Sequence, residues 1–113
     1  MKKIINRIVE QQNFEYVLFG SIPLIIKDKL TNNINISSLI NSVESAIPRP
    51  PAGLIKSIIV GYNPIFDKRK VNALYYNGII YLSNDQDDLN DMLDDIVHEY
   101  SHAYEMETYH NCS

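Results

Sequence analysis

The residue pair Asn77-Gly78 constrains the fold of this chain more than any other local feature. Both residue types tolerate the positive φ angles that a two-residue type I′ turn requires. Extended segments rich in β-branched and aromatic residues flank the pair, ALYY at 73–76 and IIYL at 79–82. The sequence therefore predicts a tight antiparallel hairpin over 71–84, and with it a small β-sheet.

Further helices and strands are predicted before this hairpin from apolar periodicity, caps and prolines. The region 14–27 is the hardest to interpret, and a buried helix end there is an alternative to strands. An amphipathic helix is predicted over 2–12, with apolar residues at Ile4, Ile5, Ile8 and Val9. Two extended pieces follow within 14–27, broken at Gly20-Ser21 and Pro23. A helix capped by Asn35 or Ser37 and ended by Pro48 comes next, and then a strand over 54–62.

A long helix is predicted after the hairpin, capped by Ser83 or Asn84. Acidic residues at 85, 87 and 88 would complement the positive end of its dipole. Its predicted apolar side consists of Leu89, Met92, Leu93, Ile96, Val97, Tyr100, Ala103 and Tyr104. The order of elements predicts the α+β class, with a hairpin-containing sheet packed against a long C-terminal helix and one or two N-terminal helices.

Length and composition indicate one soluble domain over residues 1–113. The chain is 45% hydrophobic and 21% charged, and no apolar run approaches the roughly 20 residues of a membrane span. The N-terminus lacks the apolar core of a signal peptide. Cys112 is the single cysteine, which excludes an internal disulfide and favours a reducing, cytoplasmic location.

Charge is distributed unevenly along the chain. Every lysine and arginine lies at or before Lys70, and nine of the fourteen acidic residues lie after it. An anionic C-terminal third repels phosphates, so we expect no nucleic-acid partner. Because no apolar run is long enough to span a membrane, we expect no membrane partner either. The basic run 68–70 is too narrow for a nucleic-acid footprint and is predicted to be a solvated loop.

The run His98-Glu99-Tyr100-Ser101-His102 matches the pattern H-E-x-x-H. Histidines four residues apart lie on one face of a helix, where both imidazoles can bind one zinc ion. Glu99 points about 100° away and can act as general base on a water at that metal. The alternative is a chance match of two ordinary histidines. Only three histidines occur in the chain, and Glu99 stands between Val97 and Tyr100, where a charge is costly to bury.

Asp94 and Asp95 precede His98 by four and three residues. Either carboxylate could bind the free ring nitrogen of His98 and so fix its tautomer. A solvated acidic turn without such a role is the alternative.

The run IIYLSNDQDDLNDMLDDIVHEYSHAYE resembles the small zinc metallopeptidases of the zincin clan found in tailed phages and related viruses. The resemblance extends over about 54–107 and is strongest from Asn72 onward. It implies a small twisted sheet whose edge strand aligns an extended peptide or protein substrate by β-augmentation, with an active-site helix behind it. It also implies Zn²⁺ as cofactor, His98 and His102 as ligands, Glu99 as general base, and the cytoplasm of a host if the protein is viral. The implied edge strand lies within Asn72, Ala73, Leu74, Tyr75, Ile80 and Tyr81.

A third zinc ligand is not evident from the sequence. Gluzincin-like relatives take a glutamate from a helix further along, whereas eleven residues follow His102 here. Glu105, His110 and Cys112 are the local candidates, and Glu107 is rotated off the histidine face. For each of them, an ordinary surface residue near the end of the chain is the favoured interpretation. A partner chain or a longer polypeptide could also supply the ligand. A catalytically incomplete zincin-fold binding or regulatory module is therefore the alternative to a peptidase.

Overall fold

A five-stranded mixed sheet forms the frame of the protein. The computed structural model describes the backbone of residues 16–112 and the side chains of residues 16–106, so the helix predicted over 2–12 lies outside the described residues. The strand order is β1-β2-β3-β5-β4, with the three inner strands parallel and each outer strand antiparallel to its neighbour. The strands are β1 Tyr16–Leu18, β2 Ile22–Ile26, β3 Ser57–Val60, β4 Ala73–Tyr76 and β5 Ile79–Leu82.

Three helices accompany the sheet within the described residues: α1 Ile36–Ala46, α2 Pro64–Arg69 and α3 Leu89–Cys112. Helices α1 and α3 pack against each other, while α3 also lies on β4 and β5. The α+β class, with a sheet that includes the hairpin and a long C-terminal helix, is thus confirmed. Over residues 16–112, no helix is both long and apolar enough to cross a membrane.

One hydrophobic core fills the space between the sheet and the two long helices. From α3 it receives Met92, Ile96, Tyr100 and Ala103, which recur at helical spacing on one face. Tyr104 was predicted on this apolar side, but it is about half exposed because it lies one position beyond the buried face. The core therefore fixes the rotation of α3, and with it the direction of the histidine face.

The hairpin and the first helix cap are confirmed. Asn77 and Gly78 have φ angles of 51° and 84°, and Tyr76 pairs with Ile79 across the two-residue turn. The side chain of Asn35 accepts a hydrogen bond from the backbone N–H of Ser38 at 3.0 Å, which caps α1.

The predicted start of the long helix is wrong. Helix α3 begins at Leu89, and the carboxylate of Asp88 accepts a hydrogen bond from the N–H of Asp91 at 2.9 Å. Ser83 does not cap the helix, because its hydroxyl accepts from the N–H of Asp85. Asn84 donates instead to the backbone carbonyl of Lys29 at 2.8 Å. A long-range tether, invisible in the local pattern, thus delays the helix by one turn.

Two further details differ from the sequence prediction. Strand β2 runs through Pro23 without a break, since its pairing with β3 begins only at Leu24 and the missing proline donor costs no bond there. The basic run 68–70 was predicted as a loop, but α2 covers most of it. The side chain of Asn63 caps α2 and Pro64 occupies its first turn, a start signal that the sequence already contained.

Candidate metal centre

His98 and His102 lie on the exposed face of α3 with their rings turned toward each other. Their Nε2 atoms are 2.9 Å apart, and the ring planes meet at 82°. The distance is that of a hydrogen bond, in which the tautomers of the two rings decide which nitrogen is the donor. The predicted pair is thus brought together through the nitrogen atoms that a shared metal would use.

Glu99 completes a cluster of three donor groups with the histidines. One carboxylate oxygen and the two ring nitrogens all lie within 4.8 Å of one another. Unlike the histidines, Glu99 is only 9% exposed. Around the helix axis it lies between the exposed histidines and the buried side of α3. A carboxylate at that border can accept a proton while its orientation is restricted by packing.

The histidine pair fits a tetrahedral metal with a small adjustment. Zinc–imidazole bonds of 2.0–2.1 Å at tetrahedral angles place two ligand nitrogens about 3.3 Å apart. The observed separation of 2.9 Å needs to widen by only a few tenths of an ångström, which rotation of two exposed side chains supplies. Imidazole is a preferred zinc ligand, so the donor set suits this ion better than Ca²⁺ or Mg²⁺.

Glu105 lies beside the other ring nitrogen of His102. Its Oε1 atom is 3.9 Å from Nδ1 of His102, too far for a hydrogen bond, and its side chain is 77% exposed. Glu105 is also not among the three donor groups that lie within 4.8 Å of one another. Its role as a third ligand therefore stays a prediction.

The remaining third-ligand candidates lie further along the same helix. The backbone of α3 is continuous to Cys112. At a rise of 1.5 Å per residue, His110 and Cys112 are about 12 and 15 Å from His102 along the helix axis. Glu107 is about 7.5 Å along and rotated by roughly 140°. The helical backbone therefore does not bring these three residues to the histidine pair, and among the side chains of residues 16–106 no fourth donor joins the cluster.

Asp95 is engaged by a residue that the sequence prediction did not include. Its Oδ2 atom accepts a hydrogen bond from Nε2 of Gln86 at 3.2 Å, and the same amide also donates to the carbonyl of Ser83. Gln86 is itself buried, and its backbone N–H donates to the hydroxyl of Thr31. Among the described contacts, none joins Asp94 or Asp95 to His98. The predicted role of these aspartates in orienting His98 thus remains a prediction, whereas Asp95 links α3 to the 83–86 segment.

The pKa of Asp95 is raised above the usual aspartate value. Burial is the main cause, and repulsion by Asp91, Glu99 and Asp94 adds to it, while the hydrogen bond from Gln86 acts in the opposite direction. The folded protein therefore keeps this proton to a higher pH than the unfolded chain does. Between the two pKa values the native state binds more protons, so this group makes stability fall as the pH rises.

Replacing Asp95 by asparagine is expected to remove that contribution. Asparagine keeps an acceptor oxygen for Gln86 but cannot ionise. We expect Asp95→Asn to show a smaller loss of stability than the native chain as the pH rises from about 4 through the weakly acidic range, measured by urea unfolding at a series of pH values. Asp94→Asn is the matched control, since it removes an exposed carboxylate one residue away. An equal change in both variants would contradict the assignment to Asp95.

Strand β4 is the edge of the sheet on the side of α3. No strand of the described chain pairs beyond it, so the backbone of Ala73, Leu74 and Tyr75 lies at an open edge. Ile80 and Tyr81 lie on β5, which is paired on both sides. Of the six residues predicted to form the substrate-aligning edge, Ala73, Leu74 and Tyr75 thus lie on an outer strand. Their role in aligning a substrate stays a prediction. Asn72 precedes that arm, and its carbonyl accepts a hydrogen bond from Ser83.

Comparison with known proteins adds no relative to this description. No family model matches the chain, and no curated protein or solved structure matches it either. The case for a function accordingly rests on the residues and their geometry.

Proposed function

We propose that this chain is a zinc-dependent peptidase of the zincin type, with its reaction centre at His98, Glu99 and His102. The observation that carries the proposal is the convergence of two Nε2 atoms beside a mostly buried glutamate on one helix. A structural role explains this poorly, because the two histidines are exposed and contribute little to the core. The H-E-x-x-H spacing and the resemblance to zincin metallopeptidases point the same way.

In the proposed reaction, His98 and His102 would hold a zinc ion through their Nε2 atoms. The bound ion would supply Lewis-acid activation of the substrate carbonyl and of a water molecule. Glu99 takes a proton from the attacking water and later gives it to the departing amine nitrogen, so the same carboxylate acts first as base and then as acid. Its restricted, mostly buried position keeps it ready for both transfers.

The proposed substrate is an extended peptide segment. Strand β4 presents an open edge, and α3 lies directly against this strand and β5. A peptide that adds to β4 by backbone hydrogen bonds would be held in extended form close to the active-site helix. Main-chain pairing of this kind depends little on side chains, so we expect broad sequence specificity in unstructured peptides.

A second function is favoured by one particular contact. Glu105 approaches Nδ1 of His102 instead of the Nε2 side, and the cluster contains two imidazoles and one carboxylate suited to the base role. Catalytic zinc sites normally have three protein ligands plus water. A non-catalytic zincin-fold module could use its zinc site for partner binding or for regulation. Because it hydrolyses no peptide bond, such a module would not need a third protein ligand at the zinc.

Zinc content and peptide cleavage together test the proposal. We expect about one zinc per chain by mass spectrometry of metal content, and cleavage of an unstructured peptide mixture that stops with a chelator and returns with zinc. His98→Ala and His102→Ala should each lower zinc affinity by at least tenfold, since each removes one of two imidazole ligands. His110→Ala, which removes the third histidine, is the control and should retain zinc.

The outcomes separate the two functions. Stoichiometric zinc with cleavage supports the peptidase, and stoichiometric zinc without cleavage supports the non-catalytic module. A chain that binds no zinc at micromolar concentration would contradict both.

A further inference from the structure

A cavity lies at the carboxyl ends of the adjacent parallel strands β3 and β5. Its volume is about 380 Å³, within the range of about 300–1,000 Å³ that is usual for small-molecule sites. It is enclosed by the segment after β3, by α2 with the chain that follows it, and by the segment after β5. Its lining includes Tyr62, Phe66, Asp67, Lys70, Val71 and Asp85. We call this the strand-end cavity.

The position of the strand-end cavity in the sheet favours a ligand site. Adjacent parallel strands carry the segments that follow them to the same edge of the sheet, where small ligands commonly bind. Here the N–H of Gly61 donates to the carbonyl of Leu82 at 2.9 Å, which holds the two strand ends side by side. Tyr62 after β3 and Asp85 after β5 thus reach one cavity.

The lining has an apolar part that is partly open to solvent. Phe66 is buried, whereas Tyr62 and Val71 are 52% and 39% exposed. All three line the strand-end cavity. An apolar group placed there would cover two large side chains that otherwise contact water, which favours binding.

Tyr62 is exposed but held in place. Its N–H donates to the carboxylate of Asp28 at 2.8 Å. Its carbonyl accepts from Nζ of Lys27 at 2.7 Å, and its hydroxyl donates to Asp67 at 2.8 Å. A ring whose backbone and hydroxyl are both bonded loses little conformational freedom when a ligand packs on it. The cavity is therefore pre-organised at this side chain.

The strand-end cavity also carries charges of both signs. Lys70 supplies an ammonium group, and Asp67 and Asp85 supply carboxylates. Within residues 16–106, none of these three side chains takes part in an ion pair. Asp67 already accepts the hydroxyl of Tyr62, so Lys70 and Asp85 are the two charges best placed to bind a ligand.

We propose that the strand-end cavity binds a free α-amino acid with an apolar side chain, in its zwitterionic form. Lys70 pairs with the carboxylate of the ligand, and Asp85 pairs with its ammonium group, both through charge-assisted hydrogen bonds. The apolar side chain packs on Tyr62 and Val71. Such a ligand satisfies both charges of the cavity and brings no net charge into it.

Other classes of ligand suit the strand-end cavity less well. A phosphate or nucleotide would meet two carboxylates and only one ammonium group. A neutral sugar would leave Lys70 and Asp85 without an ionic partner. Among the side chains of residues 16–106, the groups that line this cavity form no cluster of three metal donors. The proposal does not depend on the candidate metal centre, whose residues do not line this cavity.

Calorimetric titration of the full chain with L-leucine, L-methionine and L-phenylalanine tests the proposal. A chelator is present throughout, so that binding through zinc does not contribute. We expect at least one of the three to bind with a Kd between about 10 μM and 1 mM. The amide of that amino acid lacks the carboxylate, and its N-acetyl derivative lacks the ammonium group. Each derivative should bind at least tenfold more weakly, because each loses one charged pair.

Two substitutions connect the binding to the cavity. Lys70→Gln and Asp85→Asn should each weaken binding of the amino acid at least tenfold, and Lys70→Gln should also abolish its preference over the amide. Both side chains are exposed, so we expect both variants to fold. Lys68→Gln and Asp87→Asn are the matched controls, since they make the same changes at exposed residues that do not line the cavity.

Three results would overturn the proposal. The first is the absence of binding by all three amino acids at about 10 mM. The second is equal affinity for an amino acid and both of its derivatives. The third is binding that Lys70→Gln and Asp85→Asn leave unchanged, or weaken no more than their controls do.

Discussion

Replacing Glu99 by glutamine is expected to lower peptide hydrolysis by about 10²- to 10⁴-fold while zinc remains bound. Glutamine has nearly the same shape as glutamate, so the mostly buried position of residue 99 and the packing of α3 should be preserved. It cannot accept the proton of the attacking water at neutral pH. His98 and His102 are unchanged, so zinc should remain bound. The measurements are kcat/KM on an unstructured peptide and the zinc stoichiometry of the same sample.

Glu105→Gln is the matched control for this experiment. It makes the same chemical change on the same helix, at a side chain that is 77% exposed and 3.9 Å from Nδ1 of His102. An outer carboxylate at this distance should influence activity far less than the general base. Loss of zinc from Glu99→Gln would identify Glu99 as a ligand instead of a base, and full activity of that variant would place the base elsewhere.

The local parts of the fold were accessible from sequence because their signals are local. Asn77-Gly78 allows the positive φ angles of its turn wherever the hairpin stands in the protein, and Asn35 caps α1 through a bond to Ser38, three residues away. The apolar periodicity of α3 likewise predicted its buried residues, apart from Tyr104 at the border.

The parts that sequence alone could not supply depend on distant contacts. Ser83 and Asn84 are good helix caps by residue type, but both are engaged elsewhere. The hydroxyl of Ser83 accepts from the N–H of Asp85, while Asn84 pairs with Lys29 and Thr31 in a tether between two loops. The passage of β2 through Pro23 depends on where β3 begins to pair. Strand order, which decides that β4 and not β5 forms the edge, follows from the packing of the whole domain.

The candidate metal site also has some features that the sequence predicts and others that only the structure shows. His98, Glu99 and His102 follow from a five-residue pattern on a helix, and the observed Nε2 separation agrees with it. The position of Glu105 on the Nδ1 side of His102 depends on rotamers that no pattern encodes. Gln86, which binds Asp95, is nine residues away from it in sequence and became visible only in the structure.

The largest expected effect on stability concerns Met92, which is 0% exposed in the core between α3 and the sheet. Met92→Ala removes buried methylene groups and the thioether and leaves a cavity that the packed neighbours fill only in part. We expect a loss of about 2–5 kcal/mol in the free energy of unfolding. For a domain of this size that corresponds to a decrease in Tm on the order of 10–20 °C. Urea and thermal unfolding followed by circular dichroism measure both quantities.

Met106→Ala is the matched control, because it makes the same substitution on the same helix at a side chain that is 52% exposed. A surface change of this kind should alter stability by no more than about 0.5 kcal/mol. Met92→Ala should lower stability without removing the metal site. Below its Tm this variant should still bind zinc, since His98 and His102 lie on the opposite, exposed face of α3. Equal destabilisation by the two variants would show that α3 is not held to the sheet through the Met92 face. In that case the core would not fix the orientation of the histidines, and their convergence would need another cause.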